Sequence, residues 1–145
     1  MATVNTYLNF NGNCEAAFNF YKSVFGGEYS YIGRFGDMPE SEDYKVSETD
    51  RTKVMHVSFP IGSTVLFGSD IGQEWTNKFV EGNNFAVSIN AESKEEADKL
   101  FTGLSKDGEV TMPMAPTFWG AYFGMLTDSF GINWMINFDE PQAEK

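Results

Sequence analysis

The sequence predicts an α+β fold: two βαβββ modules whose mixed four-stranded sheets form half-barrels around a cavity, in one domain spanning 1–145. Three observations carry that expectation. A strand-like alternation and an amphipathic helical stripe open the chain, and the same pair recurs about 80 residues on, in too few copies for a solenoid. Hairpin signals follow each pair, at Gly62 in the first repeat, 1–70, and at Gly131 in the second, 83–138. Fourteen Phe and three Trp supply a large aromatic core or pocket.

Val4, Thr6, Leu8 and Phe10 alternate with Asn5, Tyr7 and Asn9, which predicts a strand with one face on a core. Asn11-Gly12-Asn13 makes a turn, with Asn13 the local N-cap candidate. Ala17, Phe20, Tyr21, Val24 and Phe25 line one helical stripe, and Gly26-Gly27 ends it. Glu28 to Phe35 reads as a second strand. The segment 36–52 carries six acids and reads as a solvated loop, since its spacing matches no EF-hand. Lys53 to Phe59 and Ser63 to Ser69 predict a hairpin about Pro60-Ile61-Gly62, and 70–82 a polar link containing Trp75 and Phe79.

From Asn83 the order starts again. Asn84 to Asn90 alternates as a strand, with Phe85, Val87 and Ile89 on its apolar face. Ser93 and Glu96 form a capping box, and Ala97, Leu100, Phe101 and Leu104 give the helix its stripe. A strand near Glu109 to Met114 leads into the aromatic, glycine-rich run Phe118 to Leu126. Asp128-Ser129-Phe130-Gly131 turns the chain, and Asn133 to Phe138 resumes the alternation.

Composition excludes several classes of function. A net charge of −11 argues against nucleic acid, which needs clustered Lys and Arg. No stretch approaches the ~18 apolar residues of a membrane span, and the N-terminus lacks the basic and apolar regions of a signal peptide. One cysteine, Cys14, makes no internal bridge. The expectation is a cytoplasmic protein with no membrane or nucleic-acid partner.

The repeat has a known counterpart. Paired βαβββ modules resemble the vicinal oxygen chelate superfamily of glyoxalases, bleomycin-resistance proteins and extradiol dioxygenases. Within it the chain resembles the PhnB-like branch, also labelled demethylubiquinone methyltransferase-like. The matching residues include Tyr7 to Ala17, Phe20-Tyr21, Val54-Met55-His56, Gly108 to Pro113, Phe118 to Ala121, Phe123-Gly124, Asp128, Phe130-Gly131 and Trp134 to Asn137. The match spans nearly the whole chain apart from the acidic loop and the tail from Asp139. Tyr122 stands where the branch commonly has Arg, which removes a cation for an anionic ligand.

The resemblance implies a divalent metal held on strands 1, 4, 5 and 8. Counting along the repeat puts Asn5, Leu66, Asn84 and Met135 at those positions, a set unsuited to a tight divalent site, so no cofactor is expected. The only histidine, His56, reads first as hydrogen-bonded structure; His56 and Tyr122 are the two acid/base candidates. Cys14, in the first turn of a helix, is expected to have a somewhat lowered pKa. Strand parity and resemblance give a ligand lining of Asn5, Tyr7, Asn9, Phe67, Asn84, Ser88, Trp119, Tyr122 and Met135. Three functions follow: a metal-free small-molecule binder, a lyase or isomerase with an unusual site, or a structural or regulatory dimer with a filled cavity. A homodimer is expected, with Trp75 and Phe79 as interface candidates.

Overall fold

A computed structural model describes residues 2–37, 39 and 45–141. The chain divides into two units, Met1–Val80 and Glu81–Lys145. In the first, β1 (Thr6–Phe10) leads through a turn into α1 (Cys14–Phe25), followed by β2 (Tyr31–Arg34), β3 (Val54–Ile61) and β4 (Thr64–Asp70). The sheet order is β1-β4-β3-β2; β1 runs parallel to β4 and the other pairs are antiparallel. Of the predicted acidic loop, residues 38 and 40–44 lie outside the described residues.

α1 covers the face bearing Leu8, Phe10, Val57, Phe59 and Leu66, all buried. Its own buried residues are Cys14, Ala17, Phe18 and Tyr21. The stripe is therefore rotated from the expected one: Phe18 is in the core and Phe20 only half-buried. The cause is Gly68 on β4, where an added Cβ would collide with the Phe18 ring, so the absent side chain gives that ring its seat. Phe18 meets Phe10 and Tyr21 edge-on, at centroid distances of 6.1 and 5.5 Å.

The start of α1 is capped from a distance. Asn13 occupies the N-cap position but makes no side-chain cap bond. Asp70, at the end of β4, accepts instead: its Oδ1 from the amides of Gly12 and Cys14 at 3.0 and 2.9 Å, its Oδ2 from the Val54 amide at 2.9 Å. One buried carboxylate thus joins β4, β3 and the helix N-terminus, where a negative charge also suits the helix dipole. At the other end Gly26 takes a positive φ and donates its amide to Lys22 O, as its sequence position predicts.

The second unit repeats the plan with β5 (Val87–Asn90), α2 (Lys94–Ser105), β6 (Glu109–Pro116), β7 (Ala121–Thr127) and β8 (Asn133–Asp139), in the order β5-β8-β7-β6. Ser93 Oγ accepts from Glu96 N at 3.0 Å, and Glu96 Oε1 from Glu92 N at 2.9 Å, so the box signal identifies the helix start. Ala97, Leu100 and Leu104 are buried, as their spacing predicts. Asp128 organises the β7–β8 loop: Oδ1 accepts from Phe130 N and Ile132 N, and Oδ2 from the indole of buried Trp134 at 2.8 Å. β5 is shorter than expected and begins at Val87, which leaves Asn84 and Ala86 outside the strand.

Candidate functional site

The face of the first sheet turned away from α1 collects most of the unit's chemistry. Period-two alternation puts Tyr7 and Asn9 (β1), Phe67 and Ser69 (β4), His56 and Ser58 (β3) and Tyr31 (β2) on it, and the register sets them side by side: Tyr7 opposite Phe67, Ser58 opposite both Phe67 and Tyr31. The rings of Tyr7, Phe67 and Tyr31 surround the imidazole at centroid distances of 5.7, 5.5 and 6.1 Å, inclined to it by 30–36°. Tyr7 and Phe67 lie 6.2 Å apart at 23°. Gly33, paired with His56, makes this possible: an added Cβ there would strike the Tyr31 ring, which folds back along its own strand toward the imidazole.

Polar atoms thread the rings. Tyr7 Oη lies 3.2 Å from His56 Nδ1, and His56 Nε2 lies 3.0 Å from Ser58 Oγ. Beside them Ser69 Oγ donates to Asn9 Oδ1 at 3.4 Å. Access is graded: Tyr7 is 45% exposed and Ser58 9%. Sequence reasoning named Tyr7, Asn9, Phe67 and His56 but missed Ser58 and Tyr31 as members. Ser58 was recoverable, because it sits two residues from His56 on one strand.

The other expected residues fall elsewhere. Asn5 is exposed and precedes β1, and Asn84 is exposed and precedes β5. Leu66 is buried against α1, paired with Thr6 and Phe59, and is not on the open face. Its count failed because the hairpins differ: Ile61 pairs directly with Thr64, whereas Thr127 pairs with Asn133 across a longer loop. That difference slips the parity by one, and a one-residue slip exchanges the faces. Phe67, not Leu66, is the partner of Tyr7 as Met135 is of Ser88.

In the second unit Ser88 and Met135 pair on the face turned away from α2, while Val87, Trp134 and Ile136 lie beneath the helix. Trp119, 58% exposed, stands in the turn before β7 against Phe118 and Phe123. Tyr122 is on the helix face, in alternation with Gly124, whose missing Cβ would meet Phe101 of α2. Its hydroxyl donates to Asp98 Oδ1 at 2.6 Å and Lys94 Nζ sits 4.7 Å from its ring centre. That bond to Asp98 is the main reason its pKa is raised. Tyr122 therefore clamps α2 to the sheet rather than lining the open face.

Cys14 is also corrected. Burial, chiefly, with Asp70 and Glu15 adding, pushes its thiol pKa well up rather than down. It is on the buried side of α1, which covers the opposite face of the sheet from His56, so the two form no nucleophile–base pair. Among the described residues no three His, Cys, Asp or Glu side chains converge as a metal site needs. The open face offers one imidazole among phenol, hydroxyl and amide groups, and that donor set does not fit a tightly held divalent ion.

Comparison with known proteins agrees with this architecture. A family model described as 3-demethylubiquinone-9 3-methyltransferase matches residues 2–137. Protein YjdN of Escherichia coli K12 is 29% identical over 140 residues, 92% of this chain and 93% of its own. The structure of protein PA1353 from Pseudomonas aeruginosa is 37% identical, covers 97% of this chain and 100% of its own, and superposes with a TM-score of 0.81. For the PhnB protein from Bacillus cereus the values are 26%, 94%, 99% and 0.70. A glyoxalase-related enzyme from Fulvimarina pelagi, 18% identical over 95% of this chain and 88% of its own, shares the fold with a TM-score of 0.61.

Proposed function

Because the chain belongs to the 3-demethylubiquinone-9 3-methyltransferase family, the PhnB-like branch of the vicinal oxygen chelate superfamily, we propose that it binds a small molecule without a resident divalent metal. The supporting observation is the ring-covered open face of the first sheet. Tyr7 and Tyr31, 45% and 50% exposed, leave apolar area in water that a stacked ligand would cover. Inclinations of only 23–36° suit a flat ligand, and the hydroxyl, amide and imidazole groups between the rings suit a neutral one.

The family description names a methyl transfer. A nucleoside-bearing donor needs a cradle, and the two strand-to-helix turns are already closed. Asp70 takes the Gly12 and Cys14 amides, and Ser93 with Glu96 caps the second turn. Neither turn is left open to an anionic group of a donor, and binding is the function put forward.

Native mass spectrometry of protein purified without additives, followed by extraction, tests the reading. An organic molecule should be retained by the wild type and lost from Phe67→Ala, with metal far below one equivalent by elemental analysis. One tight divalent ion per chain would overturn the metal-free part. A cytoplasmic homodimer belongs to the same proposal, with half-exposed Trp75 and neighbouring Phe79 as contacts; a monomer by light scattering would refute it. The double hydrogen bonding of His56 favours a second reading, an acid/base lyase or isomerase.

A further inference from the structure

We propose that Tyr7, His56 and Ser58 form a proton relay, in which the Tyr7 phenol is the acid/base group that meets a neutral planar ligand bearing a hydroxyl or carbonyl. The inference rests on the binding reading and adds chemistry to it. An imidazole on an open sheet face can satisfy both nitrogens with water. Here both are engaged by protein hydroxyls, Nδ1 by Tyr7 at 3.2 Å and Nε2 by Ser58 at 3.0 Å. Phe67 and Tyr31 hold its plane from either side. The chain runs from a buried end at Ser58 to an open end at Tyr7, where a ligand can exchange a proton with it.

Neutral imidazole donates at one nitrogen and accepts at the other, whereas a hydroxyl does either. Two arrangements are therefore available. In one, Tyr7 O–H donates to Nδ1 while Nε2–H donates to Ser58 Oγ. In the other, Ser58 O–H donates to Nε2, Nδ1–H donates to Tyr7 Oη, and the phenolic proton points to the ligand. From the first, Tyr7 passes its proton to Nδ1 and its oxygen takes one from the ligand, breaking a ligand O–H or C–H bond. His56 then returns its proton through Tyr7 to a different ligand atom, forming the new bond. One proton leaves and one arrives, so the net change is an isomerisation that consumes no oxidant, reductant or co-reactant. Tyr7 is the catalytic residue; His56 and Ser58 act through it. The titratable groups placed against His56 are the Tyr7 and Tyr31 phenols, with Phe67 from β4 contributing none.

His56 is the only histidine, so nitrogen NMR of histidine-labelled protein reads its tautomer and hydrogen bonding without assignment. Tyr7→Phe should displace the Nδ1 signal and Ser58→Ala the Nε2 signal, while Tyr31→Phe leaves both nearly in place. Unchanged nitrogen signals in Tyr7→Phe overturn the relay. The ligand end is probed with 4-nitrophenol, whose ionisation is read from its absorbance. Loss of the phenol hydrogen bond in Tyr7→Phe should weaken its binding about fivefold. His56→Gln should shift the pH at which the bound probe ionises while retaining its binding. If the bound probe ionises alike in wild type and His56→Gln, the chain is structural and the relay is overturned, with the binding reading intact. If the wild type does not bind the probe, the neutral-planar-ligand reading fails, and the NMR result alone decides the hydrogen-bond coupling.

Discussion

Asp70 offers the sharpest test of how the first unit is held together. Asp70→Ala removes the acceptor of three amides, from Gly12, Cys14 and Val54, two of them buried. Hydrogen bonds to a charged acceptor are worth about 1.5–3 kcal/mol each, and buried amides left without one keep the desolvation cost. Because the three share one carboxylate and do not add fully, the expected loss is about 3–5 kcal/mol. That is a large part of the ~5–15 kcal/mol of a typical domain. It corresponds to a melting temperature lower by roughly 10–15 °C. Asp70→Asn keeps one carbonyl oxygen but turns an NH2 toward an amide donor, and should cost about half as much. Urea melts give the totals, and hydrogen exchange at Gly12, Cys14 and Val54 reads the site itself. A melting temperature for Asp70→Ala within about 2 °C of wild type, with unchanged protection at those amides, would refute the reasoning.

Three further outcomes follow from the same geometry. Cys14 should resist a thiol reagent in native protein and react with one equivalent only in denaturant; rapid native labelling would contradict its burial. The hydrogen bond from Arg34, with its charge, holds the Glu15 carboxyl below its ordinary 4.5. A depressed folded value adds stability above the unfolded one that is lost as pH falls through it. The gap between wild type and Glu15→Gln in urea melts should therefore be present above 4.5 and close below it, and since both groups are part-exposed it should stay under about 1 kcal/mol. Gly33→Ala should push the Tyr31 ring off His56 and lower ligand retention, as Tyr31→Ala would, and unchanged retention by mass spectrometry would contradict the role of that ring.

Elements with local signals were legible in the sequence. The capping box at Ser93, the glycine stop after Phe25 and the β-α repeat each depend on residues a few positions apart, and the structure has them where expected. Features set by tertiary contact were not. Asn13 is a good local cap, yet Asp70 does the capping from the far end of β4. Phe18 and Phe20 lie on overlapping helical stripes, and only the gap over Gly68 chooses between them. Leu66 was misplaced because its face depends on how many residues the hairpin consumes, and Tyr122 because resemblance outweighed its alternation with Gly124. Tyr7, His56 and Phe67 were each named from sequence, but their meeting follows from cross-strand register.

The parallel pairing of β1 with β4, and of β5 with β8, governs the order of assembly during synthesis. Tyr7 has no strand partner until Phe67 is made, and Ser88 none until Met135. The first strand of each unit must wait beside its helix while the intervening hairpin is translated. The first sheet has all its strands once Asp70 has emerged, whereas the second lacks one until Asp139 has. In a chain whose β5 has emerged and whose β8 has not, a finished first sheet is followed by a solitary strand with both edges bare, the species on which a chaperone would act.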